Sequence, residues 1–119
     1  MYVQQHYKIY NIMKNLSQEE WRAQLSKEEN AVIIDARTTL ECETGIVENA
    51  IMIDFLKPDL FLEEIKKLDR SKSYYVYCRS GNRSGQACKI MDDLGFRKTV
   101  NLVGGMNEWN AGKVPPINI

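Results

Sequence analysis

The sequence predicts a compact α/β domain in which a mainly parallel central sheet carries helices on both faces. Three observations support this fold class. Short, unbroken apolar segments are typical of strands that are buried on both sides, as in parallel sheets. Segments with apolar residues at helical spacing alternate with these strands along the chain. The length of 119 residues suits one domain with a single core.

The first residues of the chain predict no defined element. Residues 1–14 are interpreted as an N-terminal extension, and residues 15–119 as the domain. Four side chains of the extension are apolar enough to pack on the domain: Tyr7, Ile9, Tyr10 and Ile12. The first helix is then predicted over about 17–26, because Ser17 and Glu20 have the spacing of a capping box and Leu16 and Trp21 that of a hydrophobic staple.

The remaining elements follow from apolar patterning and turn residues. Buried strands are predicted at 31–34, 51–53, 73–77 and 99–103. Pro58 suits the start of a helix that continues to Leu68. Another helix carries apolar residues from Ala87 to Leu94 at helical spacing, and Gly95 supplies its end. Two glycines at 104 and 105 precede a short helical turn through Trp109, and a tail begins at Pro115.

Composition excludes several classes of protein. The net charge is zero, from 16 basic and 16 acidic residues, so nucleic acid is not an expected partner. The absence of an apolar run of about 18 residues predicts no membrane span. The first residues lack the apolar core of a secretory signal, and three cysteines make an odd count, so we expect a reducing, cytoplasmic location. A single histidine, His6, makes a zinc site or a Ser-His-Asp triad improbable, and no metal or organic cofactor is implied.

Charge is unevenly distributed along the chain. Residues 14–69 carry 7 basic and 13 acidic side chains, whereas residues 70–98 carry 7 basic and 2 acidic ones. Ordinary variation in surface charge explains this distribution as well as a functional site does. The functional interpretation is that residues 70–98 hold a site for a small anion.

The segment 77–85 contains the residues that indicate a chemical function. Cys78 is predicted to be the first residue beyond the carboxyl end of a buried strand, where ligands bind in such sheets. Gly81 and Asn82 tolerate positive φ, so the loop can curl into the start of the next helix. Inward-pointing N–H groups would then stabilise a thiolate at Cys78. Arg79 and Arg83 add positive charge for an anionic substrate.

Two other loop chemistries fit this segment poorly. It lacks the lysine of the phosphate-binding loop G-x-x-x-x-G-K-[ST], and the chain lacks the serine elbow G-x-S-x-G. Instead, three motifs in order resemble the rhodanese-like sulfurtransferase family. They are Asp35-Ala36-Arg37 followed by Glu41, Gly45 and Ala50; the loop from Cys78 to Arg83; and Gly95-Phe96 with Asn101-Leu102-Val103-Gly104-Gly105 and Trp109.

The resemblance implies a ping-pong sulfur transfer. Cys78 would take the outer sulfur of a donor such as thiosulfate as a persulfide, then pass it to cyanide, a thiol or a protein of a sulfur relay. The substrate-binding residues would be those of the loop, where the main-chain amides matter more than any one side chain: Arg79, Ser80, Gly81, Asn82 and Arg83. Asp35 and Arg37 are expected to brace the fold. Arg83 has two open roles, an anion contact or a scaffold ion pair, for example with Asp35.

The chain departs from the family pattern between residues 41 and 50. Ile46 stands where many members have histidine, Asn49 where they have glycine, and Cys42 where they have an aromatic residue. Cys42 is interpreted as a small apolar filler, with a resolving thiol for oxidised Cys78 as the alternative. Cys88, beside the apolar stripe of its helix, is expected to be structural.

Two other functions remain open from the sequence. The first is a cysteine-dependent phosphatase or arsenate reductase of related fold. Their loops place five residues between cysteine and arginine, whereas four separate Cys78 from Arg83, which encloses a smaller volume. The second is a non-enzymatic module that binds a partner or carries sulfur within a relay.

Overall fold

The computed structural model describes residues 12–116. Its centre is a five-stranded sheet in which every pair of neighbouring strands is parallel, in the order β1-β5-β4-β2-β3. The strands are Lys14–Leu16 (β1), Ala31–Asp35 (β2), Ile51–Met52 (β3), Ser73–Tyr77 (β4) and Lys98–Leu102 (β5). The predicted α/β fold class and the four predicted strands are therefore confirmed.

The central strand β4 is the most deeply buried element of the sheet. All five of its residues are buried, and it pairs with β2 on one side and β5 on the other. Its β-branched and aromatic side chains suit a strand that packs on both faces. The loop that follows β4 consequently begins at the most deeply buried strand of the sheet.

The edge strand β1 was not predicted from the sequence. Its residues Lys14, Asn15 and Leu16 show no apolar run, yet they pair in parallel with Val100, Asn101 and Leu102 of β5. Backbone pairing with an open sheet edge requires no apolar side chains, which explains why patterning missed it. Ile12 is 68% exposed, and the predicted packing of Tyr7, Ile9 and Tyr10 lies outside the described residues.

The helices cover both faces of the sheet, as predicted. They are Gln18–Leu25 (α1), Thr39–Cys42 (α2), Pro58–Lys66 (α3) and Asn82–Asp93 (α4), with a 3-10 turn at Gly105–Asn107. Phe61 and Ile65 of α3 and Met91 of α4 pack into one core cluster. Trp21 of α1 packs into a second cluster that contains Trp109. The sheet lies between these two apolar layers.

Two helix starts differ from the sequence prediction. The Ser17 hydroxyl accepts the N–H of Glu20 at 3.4 Å, but the reciprocal bond of a capping box occurs instead at Thr38 and Glu41, where α2 begins. Helix α4 begins at Asn82, before the first apolar residue of its stripe, because Gly81 adopts the left-handed conformation with φ of 101°. The first turn of α4 therefore lies directly against the end of β4.

Candidate active site

Cys78 follows the last residue of β4 directly, as predicted, at the carboxyl edge of the sheet. Its carbonyl accepts the N–H of Met106 at 3.0 Å, and the carbonyl of Arg79 accepts the N–H of Asn107 at 2.9 Å. The side chain of Cys78 has no solvent-exposed surface. The loop therefore closes over the thiol, and its polar groups point inward.

Hydrogen-bond donors converge on the sulfur of Cys78. The Gly81 N–H lies 3.1 Å from Sγ, the Ser84 N–H 3.4 Å and the Ser84 hydroxyl 3.3 Å. Burial raises the pKa of Cys78, but hydrogen bonds from Ser84, Gly81 and Ser80 outweigh it, so the pKa lies below its ordinary value. A thiolate is therefore stabilised at this position.

Gly81 gives the loop its shape. Its φ of +101° lies in the left-handed region, and a Cβ at this residue would lie 3.0 Å from the carbonyl oxygen of Leu102 and 3.3 Å from the amide nitrogen of Gly104. Glycine meets both requirements, the conformation and the close approach. Asn82 was also interpreted as tolerant of positive φ, and in the structure it is the first residue of α4.

Arg83 is held by a carboxylate other than the predicted one. Its two guanidinium nitrogens donate to the two oxygens of Glu41, each at 2.8 Å, so Asp35 is not its partner. The hydrogen bond with Arg83 lowers the pKa of Glu41 to about 2, against the effect of burial. Glu41 itself is positioned by the capping box of α2. Two of the five guanidinium N–H donors of Arg83 are thus committed to Glu41 in this structure.

Asp35 instead pairs with Arg37. The Arg37 side chain donates to both Asp35 oxygens at 2.8 to 3.2 Å and to the carbonyl of Gly45 at 2.8 Å. Asp35 is fully buried and Arg37 is 5% exposed. The pair ties the end of β2 to the 41–50 segment, which is the geometry expected of bracing residues.

The 41–50 segment keeps a defined path despite its departures from the family pattern. Asn49 has φ of +71°, a conformation that asparagine tolerates better than most side chains. Ile46 is buried and forms an isolated antiparallel bridge with Val114. Asparagine thus reproduces the turn for which glycine is usual, and Ile46 contributes packing where a polar side chain would not.

The loop side chains Arg79, Ser80 and Asn82 are exposed. Arg79 lines a cavity of about 310 Å³ beside the loop, together with Arg37, Glu41, Thr44, Met106, Asn107 and Lys113. Lys113 was missed by the sequence analysis because it lies 35 positions from Cys78 and belongs to no motif. Three basic side chains from distant segments, Arg37, Arg79 and Lys113, therefore line a cavity beside the active-site loop, together with the acidic Glu41.

The basic excess of residues 70–98 does not converge on this cavity. Arg97 donates to the Ser71 carbonyl and the Ser73 hydroxyl, and Lys98 pairs with Glu28 at 2.5 Å. Arg70 donates to the Leu94 carbonyl. These residues lie at or just before the first residues of β4 and β5, at the opposite edge of the sheet from Cys78. Proximity in sequence therefore overstated the positive charge at the site.

The other two cysteines are buried and poorly ionisable. Burial raises the pKa of Cys42 to about 12 and that of Cys88 to about 12. Cys88 belongs to the same core cluster as Cys78. Both thiols stay neutral near pH 7, which is consistent with packing roles.

Two polar residues of the site were not singled out from the sequence. Ser84 follows Arg83 directly and contributes two of the donors to Sγ. Asn101 lies on β5 and accepts the Ser84 hydroxyl at 2.6 Å. Ser84 could have been found, since the first turn of a helix contributes exposed N–H groups. Asn101 was named only as part of the C-terminal motif, and its contact with Ser84 could not be predicted, because strand pairing alone brings β5 beside the loop.

Residues 12–116 contain neither a candidate metal site nor a helix that could span a membrane. No group of three or more histidine, cysteine or acidic residues could hold a metal ion in this range. None of its helices has the length and apolar character needed to cross a bilayer.

The fold and the site together define a class: an α/β protein with a parallel sheet and a cysteine cradled between the central strand and its following helix. The chain belongs to the rhodanese-like domain family, whose pattern matches residues 17–112. The resemblance inferred from the sequence motifs is thereby confirmed.

Individual relatives carry sulfurtransferase names. YtwF of Bacillus subtilis, provisionally named a sulfurtransferase, is 35% identical over 106 residues, which cover 89% of this chain and 98% of that protein. The thiosulfate sulfurtransferase GlpE of Coxiella burnetii is 30% identical, covering 78% of this chain and 82% of its own. A rhodanese-like domain protein of Staphylococcus aureus superposes with a TM-score of 0.71 at 28% identity, covering 82% of this chain and 92% of that one. At the level of the family, the chain is therefore a rhodanese-type sulfurtransferase.

Proposed function

We propose that the protein transfers a sulfane sulfur through a persulfide on Cys78. The single observation that carries this proposal is the convergence of the Gly81 N–H, the Ser84 N–H and the Ser84 hydroxyl on Sγ. These donors stabilise the thiolate before attack, and the main-chain amides of the loop stabilise a negative sulfur after it. Cys78 is the nucleophile in this mechanism, and Arg79, Ser80, Gly81 and Asn82 provide the loop that surrounds it.

The first half-reaction loads the enzyme. The Cys78 thiolate attacks the outer sulfur of a donor such as thiosulfate, and a new S–S bond forms. The donor's own S–S bond breaks, and sulfite leaves with the electron pair. Because Cys78 has no exposed surface in this structure, the loop that covers its sulfur must open for this attack.

The second half-reaction unloads the enzyme. Cyanide or a thiolate attacks the outer sulfur, and Cys78 leaves as the thiolate that the loop already stabilises. The products are thiocyanate or an acceptor persulfide. The covalent intermediate divides one difficult transfer into two easier steps.

The donor is proposed to be a small anion. Arg79 and Lys113 line the adjoining cavity from opposite segments of the chain, and neither forms an ion pair among the described residues. A local excess of positive charge raises the concentration of anions near the loop. A thiol of a sulfur-relay protein is an equally suitable acceptor. YrkF of Bacillus subtilis, provisionally named a sulfur carrier protein, is 28% identical to this chain, which covers half of it.

Phosphate-ester hydrolysis is disfavoured by the length of the loop, which is one residue shorter than those of cysteine-dependent phosphatases. The ion pair with Glu41 does not decide this question, because it uses two of the five N–H donors of Arg83. Sulfur transfer needs only the amides and the hydroxyl that surround Sγ.

The test is mass spectrometry of the intact protein and its peptides after treatment with thiosulfate. We expect a gain of one sulfur atom on the peptide that contains Cys78. Cys78→Ser should abolish this gain while circular dichroism stays unchanged, and Cys42→Ser should retain it. Absence of the added sulfur while the Cys78 thiol is intact would falsify the proposal. Rapid hydrolysis of an aryl phosphate would favour the phosphatase instead.

A relay function is tested by the choice of donor. If sulfur uptake on Cys78 is slow from thiosulfate but fast from a cysteine desulfurase, the protein acts within a relay. If thiosulfate loads it rapidly, the small anion is the better candidate for the donor.

A further inference from the structure

A row of polar side chains leads from the Cys78 sulfur to the edge strand. The Ser84 hydroxyl lies 3.3 Å from Sγ and 2.6 Å from Oδ1 of Asn101. Nδ2 of Asn101 donates to Oδ1 of Asn15 at 2.9 Å and to the carbonyl of Gly81 at 3.1 Å. Ser84 is fully buried and Asn101 is 4% exposed, so these contacts are largely shielded from water.

The surroundings of Asn101 fix the orientation of its amide. The Gly81 carbonyl can only accept a hydrogen bond, so the amide atom that faces it must be the NH2 group. The other amide atom is therefore the oxygen, and it faces Ser84. Gly85 permits this approach, since a Cβ at Gly85 would lie 3.3 Å from Nδ2. Within this arrangement the Ser84 hydroxyl must donate to Asn101.

The single proton of the Ser84 hydroxyl then has two acceptors. When Cys78 is a thiol, its S–H can donate to Ser84 Oγ while Ser84 donates to Asn101, and every group is satisfied. When Cys78 is ionised, the sulfur and Asn101 Oδ1 both need the same proton. A hydroxyl cannot serve both acceptors fully, so the thiolate loses part of one hydrogen bond.

We propose that Asn101 is a positioning residue that competes with the ionised Cys78 sulfur for the Ser84 proton and holds this proton whenever Cys78 is neutral. In the loaded enzyme the charge moves to the outer sulfur, so the Ser84 hydroxyl turns back to Asn101 and no buried donor is left unpaired. Only the hydroxyl proton reorients, and no covalent bond changes. This inference deepens the proposed function and rests on it, whereas its test measures thiol ionisation and needs no sulfur transfer.

Two titratable groups also act on the Cys78 sulfur electrostatically, Arg83 and Cys88, both from α4. Arg83 is ion-paired with Glu41 and stays charged across the neutral range. Cys88, with a pKa of about 12, stays neutral over the same range. Neither group changes state near the ionisation of Cys78, so a shift caused by a substitution at Asn101 can be assigned to the Ser84 proton.

The first experiment measures the rate of Cys78 alkylation by iodoacetamide as a function of pH. Peptide mass spectrometry separates Cys78 from Cys42 and Cys88. In Asn101→Ala the midpoint should fall by about one pH unit, as expected when the thiolate gains sole use of one charge-assisted hydrogen bond. An unchanged or higher midpoint overturns the proposal. The matched control Asn15→Ala removes only the outer contact of Asn101 and should leave the midpoint unchanged.

The second experiment separates the proton from loop geometry. If Asn101 acts through the hydroxyl, Asn101→Ala should have no effect on the midpoint in a Ser84→Ala background, although both single variants shift it. A shift of equal size in that background means that Asn101 acts by anchoring Gly81, and the proposal fails. Should Asn101→Ala not fold, Asn101→Val gives the same test with a side chain that suits a strand. If thiosulfate fails to load Cys78 while these shifts appear, the proposed function fails and the role of Asn101 stands.

Discussion

The ionisation of Cys78 depends on opposing local effects. Its side chain has no exposed surface, and burial of a thiol disfavours the charged form. Hydrogen bonds from Ser84, Gly81 and Ser80 act in the other direction and lower the pKa of Cys78 below its ordinary value. Ser84 contributes both its N–H and its hydroxyl, so it is the neighbour on which the thiolate depends most.

Removal of the Ser84 hydroxyl should therefore raise the pKa of Cys78. In Ser84→Ala, the pH midpoint of Cys78 alkylation should rise by about one unit, because a hydrogen bond to a charged group is lost. Ser80→Ala is the matched control, since the Ser80 side chain is exposed and only its N–H bears on the sulfur. Equal midpoints in wild type and Ser84→Ala would contradict this account of the site.

The backbone conformation of the active-site loop should matter more to activity than the positive charge of the exposed Arg79 side chain. Gly81→Val forces a β-branched residue into φ of +101° and towards the Leu102 carbonyl, so kcat/KM should fall by at least about tenfold. Arg79→Ala removes an exposed cation and should cost about threefold or less. Steady-state kinetics with thiosulfate and cyanide measure both variants. Comparable losses would show that the amide ring is less important than we infer.

At the scale of elements, the 3-10 turn that follows β5 packs against the backbone of the active-site loop. Gly105 approaches the loop so closely that a Cβ would lie 2.5 Å from the Cys78 carbonyl oxygen and 2.6 Å from that of Arg79. The 3-10 turn then donates the N–H groups of Met106 and Asn107 to these two carbonyls. The turn thus fixes the two peptide groups that follow the nucleophile.

Alanine substitution of three glycines should separate two effects on the free energy of unfolding: that of a positive φ and that of a clash between the new Cβ and nearby backbone. Gly105→Ala combines a positive φ with a backbone clash and should lower the free energy of unfolding by more than about 2 kcal/mol. Gly95→Ala has φ of +90° in open space and should cost about 1 kcal/mol. Gly112→Ala meets nothing within 4 Å and should be close to neutral. Urea unfolding provides the three values, and a different order would refute the role assigned to the turn.

At the scale of the whole molecule, an ion pair connects the two segments that the family motifs mark separately. Glu41 of α2 and Arg83 of α4 are 42 positions apart and meet at 2.8 Å, with 24% and 19% of their side chains exposed. The folded chain holds the pKa of Glu41 at about 2, below the ordinary 4.5, chiefly through the hydrogen bond with Arg83. A carboxyl whose pKa is lowered by folding stabilises the fold above its unfolded pKa and loses that contribution as pH falls towards the folded one.

The stability of the protein should consequently decline between about pH 4.5 and pH 2 through Glu41. Glu41→Gln should be less stable than wild type at pH 7, by on the order of 1–3 kcal/mol, and the difference should shrink at pH 2.5. Urea unfolding at both pH values measures this convergence. In the matched control Glu64→Gln the lost partner is Lys67 on the surface, with side chains 49% and 65% exposed, and little change is expected at either pH. A difference for Glu41→Gln that stays constant with pH would show that its charge is not responsible.

Local chemistry determined much of this protein from the sequence alone. The buried strand 73–77, the helix start at Pro58 and the helix end at Gly95 follow from side-chain periodicity and backbone preferences, which act over a few residues. The position of Cys78 beyond a strand and before a curled loop follows from the same local rules.

Only the tertiary structure decided which distant groups meet. Strand pairing made β1 an element and brought Asn101 of β5 to Ser84. Packing of α2 against the loop gave Arg83 the carboxylate of Glu41 in place of Asp35. Closure of the loop over Cys78 removed its exposed surface. Each of these contacts joins residues that lie far apart in the chain or depends on how elements pack, and no local pattern encodes which partner lies across the space between them.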